Sequence, residues 1–351
     1  MPGPKPPRRT SYNEMRTVRA FVSLRAFFRV FAHAQLLPAL ESGEETLVGG
    51  QAVMEGVMMR APHSYCVAVR KPDGRIVTQE MPVGRMSERY KIYKYPVFRG
   101  IGTLYQAMKL GIGALRFSAN VALEDIVPSK SADPQPAAEP SQFGMAAALL
   151  FPILFFIFMY KFVPLWIVTK LQAFYPVLAG RLAFNAADGV IRIAIFLAFL
   201  YLVSRWKDMR RIWEYHGAEH KVVFNFESGQ PVTVENAQRF TTFHPRCGTS
   251  FLLVVMVISM VVYTLVPVDG FLAKFAARIV LLPLIVGISY ELIRYAARRR
   301  GSVLAALTAP GLWLQRITTK PPADDQTEVA IRALEGAMAL EQRQGGELVV
   351  A

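Results

Sequence analysis

Five residues between positions 216 and 247 carry the side chains best suited to chemistry. WEYHGAEHK sets His216, Glu219 and His220 in an H-x-x-E-H arrangement, and FHPRCGTSF sets His244 and Cys247 three apart. On a helix, residues four apart share a face, so His216 and His220 can grip one metal ion while Glu219 stands beside them as a base for a water molecule. That is the inverted-zincin spacing. Imidazole and thiolate both suit a divalent metal of zinc type. All four ligands together would close a structural site, whereas three and a water would leave a catalytic one open, and spacing alone does not choose between them. An isolated histidine pair is better read as meeting headgroups or capping carbonyls. Four ligating residues and an acid in one segment favour the metal.

A second concentration is LVGGQAVMEGVMMRAP at 47 to 62, where Gln51, Glu55 and Arg60 interrupt an apolar stretch bent by glycines. No phosphate-loop spacing is present, so a glycine-bent strand pair packed on a membrane domain is the preferred reading. Glu291, at the end of the last apolar run, is expected on the same side as the histidines, as an extra ligand or base. Asn185, Asp188 and Arg192 are polar groups at a membrane edge and candidates by default. Glu227 and Glu235 read as solvated or capping carboxylates, and His33 and His63 receive no role.

The elements that must position these groups are long apolar runs. Residues 144 to 160 carry no charge and the run resumes after Lys161; 247 to 268 are uncharged throughout; 189 to 204 carry Arg192; 271 to 290 carry Lys274 and Arg278 near their start. About 20 apolar residues suffice to cross a bilayer. The expected fold is therefore a mainly α polytopic membrane protein with about four transmembrane helices, a small N-terminal β-rich unit and a cytoplasmic loop domain containing the His/Cys set.

The chain divides into a basic extension (1–46), a β-rich unit (47–95) with a Pro-Asp-Gly hairpin turn, an amphipathic or re-entrant helix (96–127), and a Pro/Ser/Ala linker (128–142). Helices one and two follow (143–204), then the loop with the metal ligands (205–246), helices three and four (247–290), and a cytoplasmic C-terminal segment (291–351). Basic residues cluster before the first span, after the second and after the fourth. By the positive-inside rule this puts both termini and the His/Cys loop in the cytoplasm of a multi-pass plasma-membrane protein.

The whole chain carries 40 Lys+Arg against 26 Asp+Glu, net +14, yet is 53% hydrophobic and 19% charged, which excludes a disordered basic tail protein. Because the basic clusters follow the membrane boundaries, nucleic acid ranks last among partners despite the charge. The lipid bilayer ranks first, and oligomerisation stays open. Two distant cysteines exclude a disulfide framework, and Arg16, Arg19, Arg25 and Arg29 break up any secretory signal core.

The segments GGQAVMEGVMMR, YHGAEHK, HPRCGTSF, SYE and PGLWLQRITTKPPADDQTEVAIRAL, in order from 49 to 334, together resemble the YqhQ-like membrane proteins. This bacterial domain-of-unknown-function family, number 1385, is described as predicted metal-dependent enzymes. The resemblance implies interest in His216, Glu219, His220, His244 and Cys247, and in Gln51, Glu55 and Arg60. The expectation is hydrolytic chemistry on a lipid-linked or membrane-adjacent substrate. The alternative is a non-enzymatic scaffold or small transporter with a structural metal site.

Overall fold

A computed structural model describes residues 48–84, 86–124, 142–244, 247–298 and 309–344. The basic extension 1–46 and nearly all of the expected linker lie outside these. Four strands, β1 (Gly49–Val53), β2 (Gly56–Arg60), β3 (Ser64–Arg70) and β4 (Ile76–Pro82), form an antiparallel meander in sequence order. The β3–β4 hairpin turns at Pro-Asp-Gly as expected, with Gly74 at φ +89°, a conformation that glycine adopts without steric cost.

The helices follow: α1 (Met86–Arg89), α2 (Phe98–Glu124), α3 (Gln142–Ile157), α4 (Val163–Gln172), α5 (Arg181–Ser204), α6 (Lys207–Glu227), α7 (Val234–Gln238), α8 (Gly248–Leu265), α9 (Phe271–Val280), α10 (Leu282–Arg298), α11 (Ala309–Thr318) and α12 (Asp324–Arg343).

Strands β1 to β3 are covered on both faces, while β4 is largely exposed. Ala52, Val57, Met59, Cys66 and Ala68 pack with Trp213, Ala218 and Val222 of α6 and with Ala330, Leu334 and Ala337 of α12. Their strand neighbours Val53, Met58, Val67 and Val69 point the other way, onto Leu110, Ala114 and Val121 of α2. Strand side chains alternate between faces, so a sheet buried on both sides reads as a continuous apolar run instead of an apolar/polar alternation. The helix expected to be amphipathic or re-entrant is α2 (Phe98–Glu124), and one of its faces packs under this sheet.

Among the described residues, three helical stretches are long and apolar enough to cross a membrane: Leu150–Gln172, Arg181–Ser204 and Gly248–Leu265. The first runs from α3 through a π-helical turn (Phe158–Phe162) into α4. The fourth expected span is a pair, α9 and the following part of α10, bent by 49° at its break. Large apolar side chains stand exposed along these helices, among them Leu154, Trp166, Val190, Leu202, Val261 and Leu265. Exposed apolar surface of that extent suits contact with lipid tails.

Candidate metal centre

The segment expected as a cytoplasmic loop domain is α6, a long helix buried along much of its length, then α7 and turns leading to α8. The helix brings His216 and His220 one turn apart onto one face, with ring centroids 4.4 Å apart. Cys247 arrives from the other direction as the N-cap residue of α8. One ligand atom from each of His216, His220 and Cys247 lies within 4.8 Å of the others, and Cys247 Sγ is 3.4 Å from His216 Nε2.

Each imidazole is held by its other nitrogen. His216 Nδ1 lies 2.8 Å from the carbonyl oxygen of Thr318, and His220 Nδ1 lies 2.5 Å from that of Thr242. A carbonyl only accepts, so both Nδ1 atoms must carry the proton and both Nε2 lone pairs are left for a ligand. This is the orientation that metal-binding histidines receive from their outer partners.

Glu219 sits beside the pair, its Oε2 3.5 Å from His220 Nε2 and 4.0 Å from His216 Nε2. All four groups are buried, Cys247 being the most accessible at 7%. Burial pushes the His216 imidazole down to about 4 and His220 well below its ordinary value, so both are neutral and able to ligate. Burial also pushes the Cys247 thiol up to about 12, so it holds its proton until a cation displaces it. Two neutral imidazoles, one thiol and a neighbouring carboxylate fit a divalent metal of zinc type.

His244 is adjacent to the three converging ligands. Its ring centroid is 5.5 Å from that of His220, and it packs on Phe224 with Nε2 3.7 Å from Glu227 Oε2. Its backbone is clamped by the buried Gln315, which accepts from His244 N at 2.7 Å and donates to His244 O at 2.8 Å.

The remaining candidates lie elsewhere. Gln51 is buried on β1 against Gly111 of α2, the sheet face away from the histidines. Arg60 is buried on β2 in register with Met58, on that same far face. Glu55 is in the β1–β2 turn, bound by two contacts to Arg211 of α6 and accepting from Tyr215 Oη at 3.3 Å. Glu291 makes a two-pronged pair with Arg99 and accepts from Val97 N at 3.2 Å. These carboxylates brace elements against one another.

Sequence spacing did not point to the residues that support the centre. Thr318 and Gln315 come from α11, about a hundred positions downstream of the histidines, and contribute through a carbonyl and an amide. Lys320 N donates to Trp213 O at 2.9 Å, seating the chain after α11 against α6 at Gly217, where a Cβ would stand 2.0 Å from Lys320 O. Their one signal in the sequence was the motif PGLWLQRITTK.

No solved structure matches the chain. It is 34% identical over 298 residues to a protein of Bacillus subtilis strain 168 that bears the name uncharacterized protein YqhQ, a match covering 84% of this chain and 92% of that one. The signature of the proteins of unknown function DUF1385 matches residues 95–340, a stretch that holds all five residues of the centre and α11 but leaves β1 to β4 outside. The chain belongs to the DUF1385 family.

Proposed function

We propose that this is a multi-pass plasma-membrane protein, both termini cytoplasmic, in which His216, His220 and Cys247 hold one divalent metal, zinc by donor type, for hydrolytic chemistry with Glu219 as the base. The observation that carries the reading is the convergence of three ligand atoms within 4.8 Å beside a buried carboxylate. Three protein ligands are the complement of catalytic zinc sites. A bound zinc ion supplies acidified water and a polarised carbonyl or phosphoryl oxygen.

The chain's own groups do the rest. Thr318 O and Thr242 O fix the imidazole tautomers, and Glu219 is placed to take up and return a proton. Burial excludes bulk water from all of them. Cys247 caps a candidate span, so the centre lies at the end of the helix bundle. The basic residues Arg205, Lys207, Arg210 and Arg211 after α5 support a cytoplasmic position for that end. A lipid-linked or membrane-adjacent substrate suits such a position.

One observation favours a second reading. All four groups are almost completely buried, as in closed sites that pin structure, and here the pin would join α6 to α8. A metal assay combined with turnover of chromogenic ester and phosphodiester probes separates the two. The hydrolytic reading expects one metal per chain, loss of metal in His216→Ala and His220→Ala, and a Glu219→Gln protein that keeps its metal but loses turnover. Metal in the wild type without turnover of any probe, and with Glu219→Gln unchanged in thermal stability, leaves the structural pin. Absence of stoichiometric metal ends both.

A further inference from the structure

At the opposite end of the bundle lies a second polar cluster. Asp188 and Arg192 pair one turn apart on α5, and Arg278 of α9 approaches the same carboxylate at 3.4 Å. All three are buried, at 0%, 2% and 2% exposure. The two guanidiniums lie over the ring of Tyr263, at 5.4 and 4.9 Å from its centroid, and Arg192 also donates to Ser259 Oγ at 2.5 Å.

A guanidinium is a cationic donor group, and among the described residues Asp188 is the carboxylate that reaches both. Two fixed positive charges thus share one negative charge within apolar helices. An uncompensated buried charge is costly, so the cluster has an unmet need for an anion.

A cavity of about 110 Å³ opens next to it, lined by Arg181, Asn185, Tyr263, Asp269, Lys274 and Arg278, among others. Three cations and one carboxylate among those six leave the lining positive. Arg278 gives NH1 to Lys274 O and NH2 to Asn185 Oδ1, while its buried Nε has no hydrogen-bond partner among the described residues. Lys274 Nζ lies over the Phe184 ring, 4.2 Å from its centroid, in the same wall.

We infer that this cavity between α5, α8 and α9 binds a phosphate-type oxyanion, held by Arg278 at its base and by Lys274 and Arg181 at its mouth. The planar guanidinium fork and the ammonium are the groups that recognise phosphate oxygens best. The source is a phospholipid headgroup or a free anion, since the chemistry is shared. The site is independent of the metal centre: α8 separates them by its 18 residues, about 27 Å at the helical rise.

The test is thermal unfolding of the full chain in detergent, titrated with phosphatidylglycerol, with phosphatidylcholine, and with inorganic phosphate against chloride at matched ionic strength. Phosphatidylglycerol is expected to raise Tm and phosphatidylcholine to leave it unchanged. Lys274→Gln and Arg278→Gln should each weaken the apparent affinity about tenfold or more, the loss expected for one charge-assisted contact. Should Arg278→Gln fail to fold, the partly exposed Lys274→Gln carries the test alone. A matching shift with inorganic phosphate identifies a free-anion site, and a shift with the lipid alone a headgroup site; either supports the inference. No shift with either probe, or a Lys274→Gln protein titrating like the wild type, overturns it.

Discussion

Gly50 and Glu219 meet where β1 crosses α6: a Cβ on Gly50 would stand 2.7 Å from Cγ of Glu219 and 2.6 Å from the carbonyl oxygen of Met58. The glycine-rich start of the sheet therefore bears on the centre by leaving room for its carboxylate. Replacing Gly50 with alanine must move either the strand or Glu219. The expected result for Gly50→Ala is a loss of about 1–3 kcal/mol from overpacking, with metal content retained because no ligand is touched. Under the hydrolytic reading turnover falls as well. Metal analysis and thermal unfolding of one preparation check both parts, and an alanine variant as stable as the wild type would count against so close an approach.

Gly217 gives a sharper test of the outer partners. A Cβ there would stand 2.0 Å from Lys320 O, a backbone atom that cannot rotate away. Gly217→Ala should push the chain after α11 off the helix and take Thr318 O away from His216 Nδ1. Loss of such an outer partner costs about 10–100-fold in metal affinity. A zinc competition titration measures it, and an unchanged affinity would show that the Thr318 contact does not orient the ligand.

The two cases show what spacing revealed and what it could not. His216, Glu219 and His220 were legible because ligands four apart on one helix are a local pattern. Cys247 and His244 looked equivalent, since both stand just before an apolar run. What separates them is tertiary: Cys247 caps α8 beside His216, whereas the His244 ring packs on Phe224 with Nε2 near Glu227, and Gln315 holds the His244 backbone. The apolar runs announced the spans by length alone, but not the 49° bend between α9 and α10. Glu55 and Glu291 stood as candidate site residues because their arginine partners, Arg211 and Arg99, are distant in sequence.

Glu55 provides a control for stability without chemistry. Its pair with Arg211 is half exposed, so solvent screening limits it to about 1 kcal/mol or less. Glu55→Gln should lower Tm slightly and leave metal content and probe turnover unchanged. A large loss of metal would mean that Glu55 acts on the centre through α6.

The lower edge of the sheet should respond to acid through Glu341. This carboxylate accepts from His63 N at 2.9 Å and from Ser64 Oγ at 2.8 Å, and it pairs with His63 Nδ1 at 2.8 Å, tying α12 to the β2–β3 turn. Burial alone would raise its pKa, but the bonds from His63 and Ser64 outweigh that and hold it below the ordinary 4.5. A folded value below the unfolded one means that the stabilisation is present above about pH 4.5 and fades as pH falls through the folded value. Glu341→Gln should therefore be less stable than the wild type at pH 7, by about 1–3 kcal/mol. The gap should narrow below pH 4.5, which denaturant titrations at several pH values would follow.

Metal binding should carry a pH signature that names its proton. Burial holds the His216 imidazole near 4 and pushes the Cys247 thiol to about 12. Between pH 5.5 and 8 the histidines are already neutral, whereas Cys247 must give up a proton before it can ligate. Binding should thus release one proton, and zinc affinity should rise about tenfold per pH unit across that range. Cys247→Ser removes the ionising thiol and should flatten the slope as well as weaken binding. His216→Ala should weaken binding and keep the slope. Competition with a chromogenic chelator at three pH values distinguishes these outcomes. A wild-type affinity that does not change with pH would mean that Cys247 is not a ligand, leaving two histidines and Glu219 to hold the ion.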